Sequence, residues 1–197
     1  LLTHKVIDKK YIQKIEDDFE KKILPVMDQS LQAEDPSSTE ADELNLVYKE
    51  SSYKKIPKPK GKKINKRFID AIRDCLFDKM DSDSKVIIMG QDIAEYGGVF
   101  KVTEGFSDKF GKERVRNTPI TESAIIGAAM GLAIEEYKPI VEMQFADFVS
   151  VGFNQIVNNL AKTYYRWKQP INVTLRLPTG GGIGAGPFHS QSNEAWF

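Results

Sequence analysis

The chain has 197 residues, and its 28 Lys plus Arg balance its 28 Asp plus Glu, so the formal net charge is zero. This balance gives no argument for nucleic acid or an anionic membrane as a partner. A 41% hydrophobic and 28% charged composition is typical of a globular protein, and no apolar run approaches the roughly 18–20 residues that span a bilayer. The first residues, LLTHKVIDKKYIQ, turn polar after two leucines and do not form a signal peptide pattern.

The first 50 residues predict a helical tail. Between Tyr11 and Ala33, apolar residues recur every three or four positions, which predicts an amphipathic helix. Pro25 interrupts this pattern, so we expect it to kink the helix or split it in two. The following polar stretch, EDPSSTEADE, is interpreted as a loop. The repeating apolar positions are Ile12, Ile15, Phe19, Ile23, Met27 and Leu31.

A lysine- and proline-rich stretch, SSYKKIPKPKGKK, follows from Ser51 to Lys63. It has almost no apolar residue with which to bury a core, so residues 51–64 are predicted to be an extended, solvated linker. A nucleic-acid patch is the alternative interpretation, but no aromatic residues for base stacking are interleaved with the lysines. The linker joins the tail, residues 1–50, to a second domain, residues 65–197.

Helical and strand patterns alternate through residues 65–197. Helices are predicted around Phe68–Leu76, after Thr121 and near Gly152–Tyr165, and strands at KVIIMG, PIVEMQF and INVTLRL. Strands separated by helices favour parallel pairing, so the fold class is α/β with a parallel sheet flanked by helices. The single cysteine, Cys75, is predicted to be buried on the apolar side of the first of these helices. A lone cysteine excludes internal disulfides and suits a reducing compartment, the cytoplasm or alternatively the mitochondrial matrix.

Ligands of parallel α/β sheets gather beyond the carboxyl ends of the strands, so the loops there carry the candidate chemistry. Asp92 and Glu95 follow the first strand and are interpreted as surface carboxylates, because no further ligand completes a metal site. In the segment LPTGGGIGAGPFHSQS no helix pattern follows the glycines, and a nucleotide-binding loop is therefore rejected. His189, at the end of this segment, is either structural or an acid/base group. Glu122 has two interpretations. It is either a first-turn residue at a helix start, where anions are favoured, or a buried catalytic carboxylate.

Three segments, taken in chain order, resemble one family. They are GQDIAEYGGVFKVTEGFSDKFGKERVRNTPITESAIIGAAMGLA, EMQFADFVSVGFNQIVNNLAK and LPTGGGIGAGPFHSQSNEAWF. The segments resemble the beta subunit of thiamin-diphosphate-dependent 2-oxoacid dehydrogenases, over about residues 66–197. The first 50 residues are similar to the carboxyl-terminal tail of the partner alpha subunit. The chain is therefore expected to be the junction of a fused alpha–beta protein, and a piece of a longer one.

The resemblance implies that residues 65–197 form the pyrimidine-binding domain of this thiamin-diphosphate fold. Glu122 matches the family's glutamate that hydrogen-bonds the aminopyrimidine ring and promotes loss of the proton from the thiazolium carbon. Ile120, Gln144 and Phe148 match residues that line the pyrimidine end of the pocket. His189 matches a histidine near the substrate and the incoming lipoyl group. The family's Gly-Glu-Asp is replaced here by Gly90-Gln91-Asp92, and no role is assigned to Gln91.

The implied function is oxidative decarboxylation of a 2-oxoacid, of the branched-chain type before pyruvate, with transfer of the acyl group to a lipoyl domain. The implied cofactors are thiamin diphosphate and Mg²⁺, with the diphosphate and the metal held by an alpha-type portion, in the same longer chain or a separate subunit. The other implied partners are a lipoyl-bearing acyltransferase and further copies in a dimer or tetramer. By itself the fragment is expected to be inactive. The alternatives are a transketolase-like or deoxyxylulose-phosphate-synthase-like enzyme, and a non-catalytic interaction module of the same fold.

Overall fold

The computed structural model describes residues 2–4, 6–50 and 61–197. These residues divide into two compact units between positions 43 and 44. Most of the predicted linker, residues 51–64, lies outside the described residues. In the part of the chain that the structure describes, a helix with the length and apolarity needed to cross a membrane is absent.

The first unit contains one long helix, α1 (Lys9–Gln32), as the apolar spacing predicts. The Asp8 carboxylate begins it by accepting a hydrogen bond of 2.7 Å from the backbone N–H of Tyr11. Pro25 lies inside this helix, so of the two expected outcomes, a kink or a split, the split into two helices is wrong. A proline removes one intrahelical hydrogen bond, and the bonds of the turns on either side keep the remaining residues helical.

A second helix, α2 (Glu40–Asn45), begins where the sequence predicts a loop. Thr39 and Asp42 exchange hydrogen bonds at its start. The Asp42 backbone N–H donates to Thr39 Oγ1 at 3.2 Å, and the Thr39 backbone N–H donates to Asp42 Oδ2 at 3.1 Å. This reciprocal cap satisfies two N–H groups that the first turn leaves free. The loop prediction for the last part of EDPSSTEADE is therefore wrong.

The second unit is built on a parallel sheet of four strands, which confirms the predicted α/β class. The order is β2–β1–β3–β4, and all three pairings are parallel. Central strand β1 is buried along its whole length, as its continuous apolar run predicts. The strands are β1 (Val86–Gly90), β2 (Val115–Asn117), β3 (Lys138–Glu142) and β4 (Thr174–Arg176).

Helices connect these strands and cover both faces of the sheet. The helices are α3 (Phe68–Ser82), α4 (Phe106–Phe110), α5 (Glu122–Ile134), α6 (Val149–Asn154) and α7 (Thr163–Trp167), with a π-helix (Gln155–Leu160) between the last two. Short 3₁₀ turns lie at Val99–Lys101, Ala146–Phe148, Gly181–Ile183, Gly186–Phe188 and Glu194–Trp196. The sequence patterns did not predict α4 or β2. In β2 only Val115 is buried, which is too short a signal for a strand.

The core divides between the two faces of the sheet. On one face Val86 and Ile88 pack with Met80 of α3 and Phe106 of α4. On the other face Met89 and Val141 pack with Ile125 and Ala129 of α5. Complete burial of one such aliphatic side chain contributes about 1.5–3 kcal/mol. This packing fixes α5, and with it the residues at its amino end, against the sheet.

Cys75 lies on the exposed side of α3, so the prediction that it is buried is wrong. This helix meets the core through Leu76, Phe77 and Met80, while Phe68 is largely exposed. Apolar residues occupy a wide band of α3, and their spacing does not determine which edge of the band faces the sheet. Packing against β1 selects the edge that contains Met80.

Candidate functional site

The candidate site residues lie in the loops after β1, β3 and β4 and at the start of α5. Because β1, β3 and β4 are parallel neighbours, the loops that leave their carboxyl ends begin at one edge of the sheet. Gln91 and Asp92 follow β1, Gln144 and Phe145 follow β3, and the segment that carries His189 follows β4. Hydrogen bonds and ring contacts join these residues in three groups.

Glu122 is the first residue of α5 and is buried, with 7% of its surface exposed. Its Oε1 accepts a hydrogen bond of 3.3 Å from Gln91 Nε2, and Gln91 is also buried. The helix start lets α5 place a negative charge where its own dipole favours one. The two interpretations of Glu122 from the sequence are therefore compatible, since one side chain is both a first-turn residue and a buried carboxylate.

Asp92 and Gln144 form the second group. The Gln144 amide donates to Asp92 Oδ2 at 3.1 Å, which joins the loop after β1 to the loop after β3. Asp92 has a left-handed backbone with φ of 56°, which is uncommon for a residue other than glycine. This turn directs two consecutive side chains differently, so that Gln91 is buried and Asp92 is exposed.

His189 and two phenylalanines form the third group. The ring centroid of His189 lies 5.0 Å from that of Phe145 and 5.4 Å from that of Phe148, both edge-to-face. The two phenylalanine rings lie 6.2 Å apart. Such aromatic pairs contribute about 0.5–1.5 kcal/mol each beyond the area that they bury. The imidazole is half-buried and is held in one orientation by rings on two sides.

His189 also lines a cavity of about 330 Å³. The loops after β1, β3 and β4 all contribute to its walls. The lining is mostly apolar or glycine, and Thr179 and His189 supply its polar side chains. The lining residues are Phe100, Phe145, Pro178, Thr179, Gly180, Gly182, Ile183 and His189. A cavity with this lining suits an aliphatic group next to a single acid/base side chain.

The segment that carries His189 is tied to the loop after β3 by two hydrogen bonds. The Gln191 backbone N–H donates to Asp147 Oδ1 at 3.2 Å, and Asn193 Nδ2 donates to the carbonyl of Ala146 at 3.0 Å. Both Asp147 and Asn193 are buried. These contacts hold the chain just after the histidine against the loop that carries Phe145 and Phe148.

The loop after β1 is anchored from several directions. Thr103 Oγ1 donates to the carbonyl of Ile93 at 2.6 Å, and Arg73 of α3 donates to the carbonyl of Glu104 at 2.7 Å. Gly98 has φ of +71°, and a Cβ there would lie 2.9 Å from the carboxylate oxygen of Glu142. Only glycine allows both this backbone and this approach.

Glu142 is the last residue of β3 and forms an ion pair with its neighbour on β4, Arg176, at 2.5 Å. Burial raises the pKa of the Glu142 carboxyl above its ordinary value, and the positive charge of Arg176 opposes that rise. Glu142 is 2% exposed. The pair therefore lies beneath the loop that carries Gly98 and joins two strands at the edge where the site residues gather.

Glu95 is an exposed carboxylate that pairs with Lys112 at 2.8 Å. The hydrogen bond from Lys112 lowers the pKa of Glu95. Across the described ranges, no group of three or more His, Cys, Asp and Glu side chains is arranged to hold a metal ion.

The structure thus brings some of the predicted residues together and leaves one apart. Phe148 contacts His189 directly, and Glu122 is linked to Gln144 through the consecutive residues Gln91 and Asp92. Ile120 lies in the segment before α5 and is 81% exposed.

Sequence reasoning missed Gln91, Phe145 and Phe100. The position of Gln91 directly after a buried strand was a signal that could have found it. Phe145 directly follows Gln144, which was singled out, but nothing in the sequence marked its ring as a contact of His189. Phe100 reaches the cavity because its backbone is left-handed, with φ of 59°, which no sequence pattern indicated.

Residues 65–197 match the family model described as "Transketolase, pyrimidine binding domain". Over 134 residues the chain is 47% identical to the 2-oxoisovalerate dehydrogenase subunit beta of Bacillus subtilis, covering 66% of this chain and 40% of that protein. It is 46% identical over 131 residues to the 3-methyl-2-oxobutanoate dehydrogenase subunit beta of Mycobacterium tuberculosis (66% and 38% covered). It is 44% identical over 131 residues to the pyruvate dehydrogenase E1 component subunit beta of Leifsonia xyli (66% and 39% covered).

The matching part of the chain spans about 40% of the length of these relatives. The family model covers the parallel sheet, its helices and all of the residues that meet at its carboxyl edge. The buried carboxylate at the start of α5 and the amides beside it lie within the matched region. The chain therefore belongs to the family of transketolase-type pyrimidine-binding domains.

Proposed function

We propose that this chain supplies the pyrimidine side of a thiamin diphosphate site in the decarboxylating component of a 2-oxoacid dehydrogenase. The observation that carries the proposal is Glu122, a carboxylate buried at the first turn of α5 and hydrogen-bonded to a buried amide. A buried charge needs partners, and a cofactor ring with hydrogen-bonding nitrogens provides one. The named relatives are beta subunits of 2-oxoacid dehydrogenases, which supports this reaction class.

The side chains present fit an aminopyrimidine ring. Such a ring is flat and has nitrogen donors and acceptors at its edge. Glu122 offers a carboxylate, Gln144 an amide, and Phe148 a half-buried aromatic face. Thr118 lies shortly before Glu122 in the chain, and its Oγ1 is buried without a hydrogen-bond partner among the described residues. The combination of polar edge groups and a ring face is the kind of lining that orients a flat heteroaromatic ligand.

When bound, thiamin diphosphate supplies the carbon nucleophile and the electron sink for decarboxylation. The residues of this chain supply orientation and proton placement. Glu122 Oε2 would hold the proton shared with a ring nitrogen, while Oε1 stays hydrogen-bonded to Gln91. Phe148 would pack against the ring face, and the His189 imidazole, next to the apolar cavity, would serve as an acid/base group at the substrate end. We assign the diphosphate and Mg²⁺ to an alpha-type portion, in the same longer chain or a separate subunit.

We propose a branched-chain 2-oxoacid as substrate, with pyruvate as the alternative. The apolar lining of the cavity beside His189 supports an aliphatic side chain larger than a methyl group. Two of the three named relatives act, by their names, on branched-chain oxoacids, and the third acts on pyruvate. We further propose that the acyl group passes to a lipoyl-bearing acyltransferase, that the assembly is a dimer or tetramer, and that it works in the cytoplasm or the mitochondrial matrix.

The test replaces Glu122 by Gln in the full-length protein. Loss of a positioned proton-transfer group lowers the rate by about 10²–10⁴-fold. We therefore expect the rate of 3-methyl-2-oxobutanoate decarboxylation to fall by a factor in that range. The matched control is Glu135→Gln, at the exposed carboxyl end of the same helix, which should keep full activity. Circular dichroism of both variants should match the unchanged protein.

Full activity in the Glu122→Gln protein would show that the assigned mechanism is wrong. A full-length protein that binds no thiamin diphosphate would instead favour the non-catalytic interaction module. Rates on pyruvate and on 3-methyl-2-oxobutanoate, measured side by side, decide between the two substrate types.

A further inference from the structure

Gln91 is the one buried side chain that the structure shows in hydrogen-bonding contact with Glu122. It is 6% exposed, and its Nε2 lies 3.3 Å from Glu122 Oε1. Gln91 directly follows β1, and Glu122 begins α5, so the contact joins the sheet to the helix. A buried amide and a buried carboxylate are each costly unless their polar atoms are paired. Their hydrogen bond therefore stabilises both side chains in these positions.

The backbone around Gln91 is held on both sides. The carbonyl of Gly90, which precedes it, accepts a hydrogen bond of 2.9 Å from the backbone N–H of Thr118, at the end of β2. Asp92, which follows it, has a left-handed backbone, and its carbonyl accepts a hydrogen bond of 2.9 Å from Gly98. The Asp92 carboxylate is held by Gln144. With both neighbours fixed, the backbone of Gln91 keeps its place, and from there its buried side chain contacts Glu122.

The amide chemistry sets what this contact can do. Nε2 of a glutamine donates hydrogen bonds and does not ionise, so Gln91 can direct one oxygen of Glu122 without taking its proton. A carboxylate held through one oxygen presents its other oxygen in a fixed direction. Holding a proton-transfer group in a productive geometry accounts for a large part of catalytic rate.

We propose that Gln91 is a positioning residue for Glu122, which orients its carboxylate towards the cofactor ring and leaves it as the sole ionisable partner in the contact. This proposal rests on the proposed function of Glu122 and assigns to Gln91 a role that the family motif does not. In this chain an amide fills the role, where the family motif has a glutamate. An apolar side chain of equal length loses the orientation, and a second carboxyl competes for the proton.

The test uses the full-length protein with thiamin diphosphate and Mg²⁺ added. Gln91→Met keeps the length of the side chain and removes its donor. Because a hydrogen bond to a charged group contributes roughly ten- to hundred-fold, we expect kcat to fall by about that factor. KM for the oxoacid, and the dissociation constant of the cofactor measured by calorimetry, should change by less than about three-fold, since ground-state binding is largely retained. Hydrogen–deuterium exchange at the thiazolium carbon should slow in parallel with kcat.

Gln91→Glu is the second variant, isosteric but ionisable. Two carboxyl groups in contact share one proton, so the pH profile of kcat should move to more alkaline pH. The neighbouring charged groups at the strand ends, Asp92 and the Glu142–Arg176 pair, are the same in all variants. Gln169→Met is the matched control, because its amide contacts the carbonyl of the adjacent Pro170, in the connection between α7 and β4.

The outcomes separate this proposal from the function on which it rests. Suppose that the unchanged full-length protein is active. Normal hydrogen–deuterium exchange and normal kcat in both the Gln91→Met and the Gln169→Met variants would then overturn the role of Gln91 alone. If Gln91→Met unfolds, an unmoved pH profile in a folded Gln91→Glu protein overturns it equally. Absence of cofactor binding and decarboxylation in the unchanged full-length protein overturns both proposals.

Discussion

The imidazole of His189 has its position set by packing with two aromatic rings. Phe145 and Phe148 meet it edge-to-face, and neither ring is charged. A half-buried histidine between aromatic rings is restricted in orientation but still reaches solvent. The same packing forms one wall of the cavity, so the imidazole and the apolar lining are neighbours.

Phe100 is the residue of this cavity whose backbone carries strain. Its φ of 59° is rare for a bulky residue and costs on the order of 1 kcal/mol or more. Such strain persists where surrounding structure imposes it, and here the loop is anchored by Thr103 and by Arg73 of α3. Strain concentrates at functional positions, which supports a role for this ring in substrate choice.

We therefore predict that Phe100→Ala changes substrate preference in the full-length protein. Loss of the ring removes contacts for a branched side chain and fewer for a methyl group. Because one methylene in an apolar pocket changes selectivity by about 10–200-fold, the ratio of kcat/KM for 3-methyl-2-oxobutanoate over pyruvate should fall at least ten-fold. Steady-state kinetics on both substrates measures it. Tyr137→Ala, near the amino end of β3, should leave the ratio unchanged, and an unchanged ratio in Phe100→Ala would exclude the cavity as the specificity pocket.

Among the elements, β3 and β4 are joined at their carboxyl ends by charge as well as by backbone hydrogen bonds. Glu142 and Arg176 stand opposite each other in the register and form a buried ion pair. The loop that carries Gly98 packs directly on this pair. The ends of the two strands, and with them the starts of the loops to Gln144 and to the His189 segment, depend on both partners.

We predict that Arg176→Met destabilises the fold by about 3–5 kcal/mol at neutral pH, because it leaves the Glu142 charge buried without a partner. Urea unfolding of the full-length protein measures the loss. The matched control is Arg116→Met. Arg116 lies on the edge strand β2 and forms an exposed ion pair with Glu113, so its replacement should cost less than about 1 kcal/mol. Equal losses of unfolding free energy in the two variants would show that the buried pair stabilises the fold no more than an exposed pair does.

The same variant should lose more stability as pH rises. Burial raises the native pKa of Glu142 above the ordinary 4.5, and Arg176 limits that rise. An acidic group whose pKa is raised in the native state contributes its full stabilisation below the pKa of the unfolded state. That stabilisation is lost as pH rises through the native pKa. Without Arg176 the rise is larger, so the deficit of Arg176→Met should be small near pH 4 and grow towards pH 7. A deficit that stays constant over this range would contradict the assignment.

At the scale of the whole molecule, the chain matches about 40% of the length of its named relatives. The site at the carboxyl edge is half-open, with Ile120 and most of the glycine segment exposed. In the proposed function an alpha-type portion closes this side and holds the diphosphate. The described part of the chain then provides half of an active site.

We predict that the 197-residue chain alone shows no decarboxylation of either oxoacid, and that the full-length protein does. If the alpha-type portion is a separate subunit, the full-length protein should reach this rate only when that subunit is added. Binding should also raise the melting temperature of the chain, since a partner that binds only the folded state stabilises it. Dye-linked oxoacid oxidation and thermal melts measure these effects. Turnover by the isolated chain would show that it contains a complete site.

The sequence by itself determined the fold class, because a continuous apolar run such as β1 and the alternation with helices reflect burial on both sides of a sheet. It also singled out Glu122 at a helix start and His189 at the end of a glycine-rich loop, and the family resemblance added Gln144 and Phe148. Their roles stay predictions.

Only the tertiary structure decided which residues meet. The contact of Gln91 with Glu122 spans 31 positions, and that of Phe145 with His189 spans 44. The side of α3 that holds Cys75 depended on packing against β1, and the pairing of Glu142 with Arg176 on the register between two strands. These contacts depend on how distant segments pack, which no local pattern records.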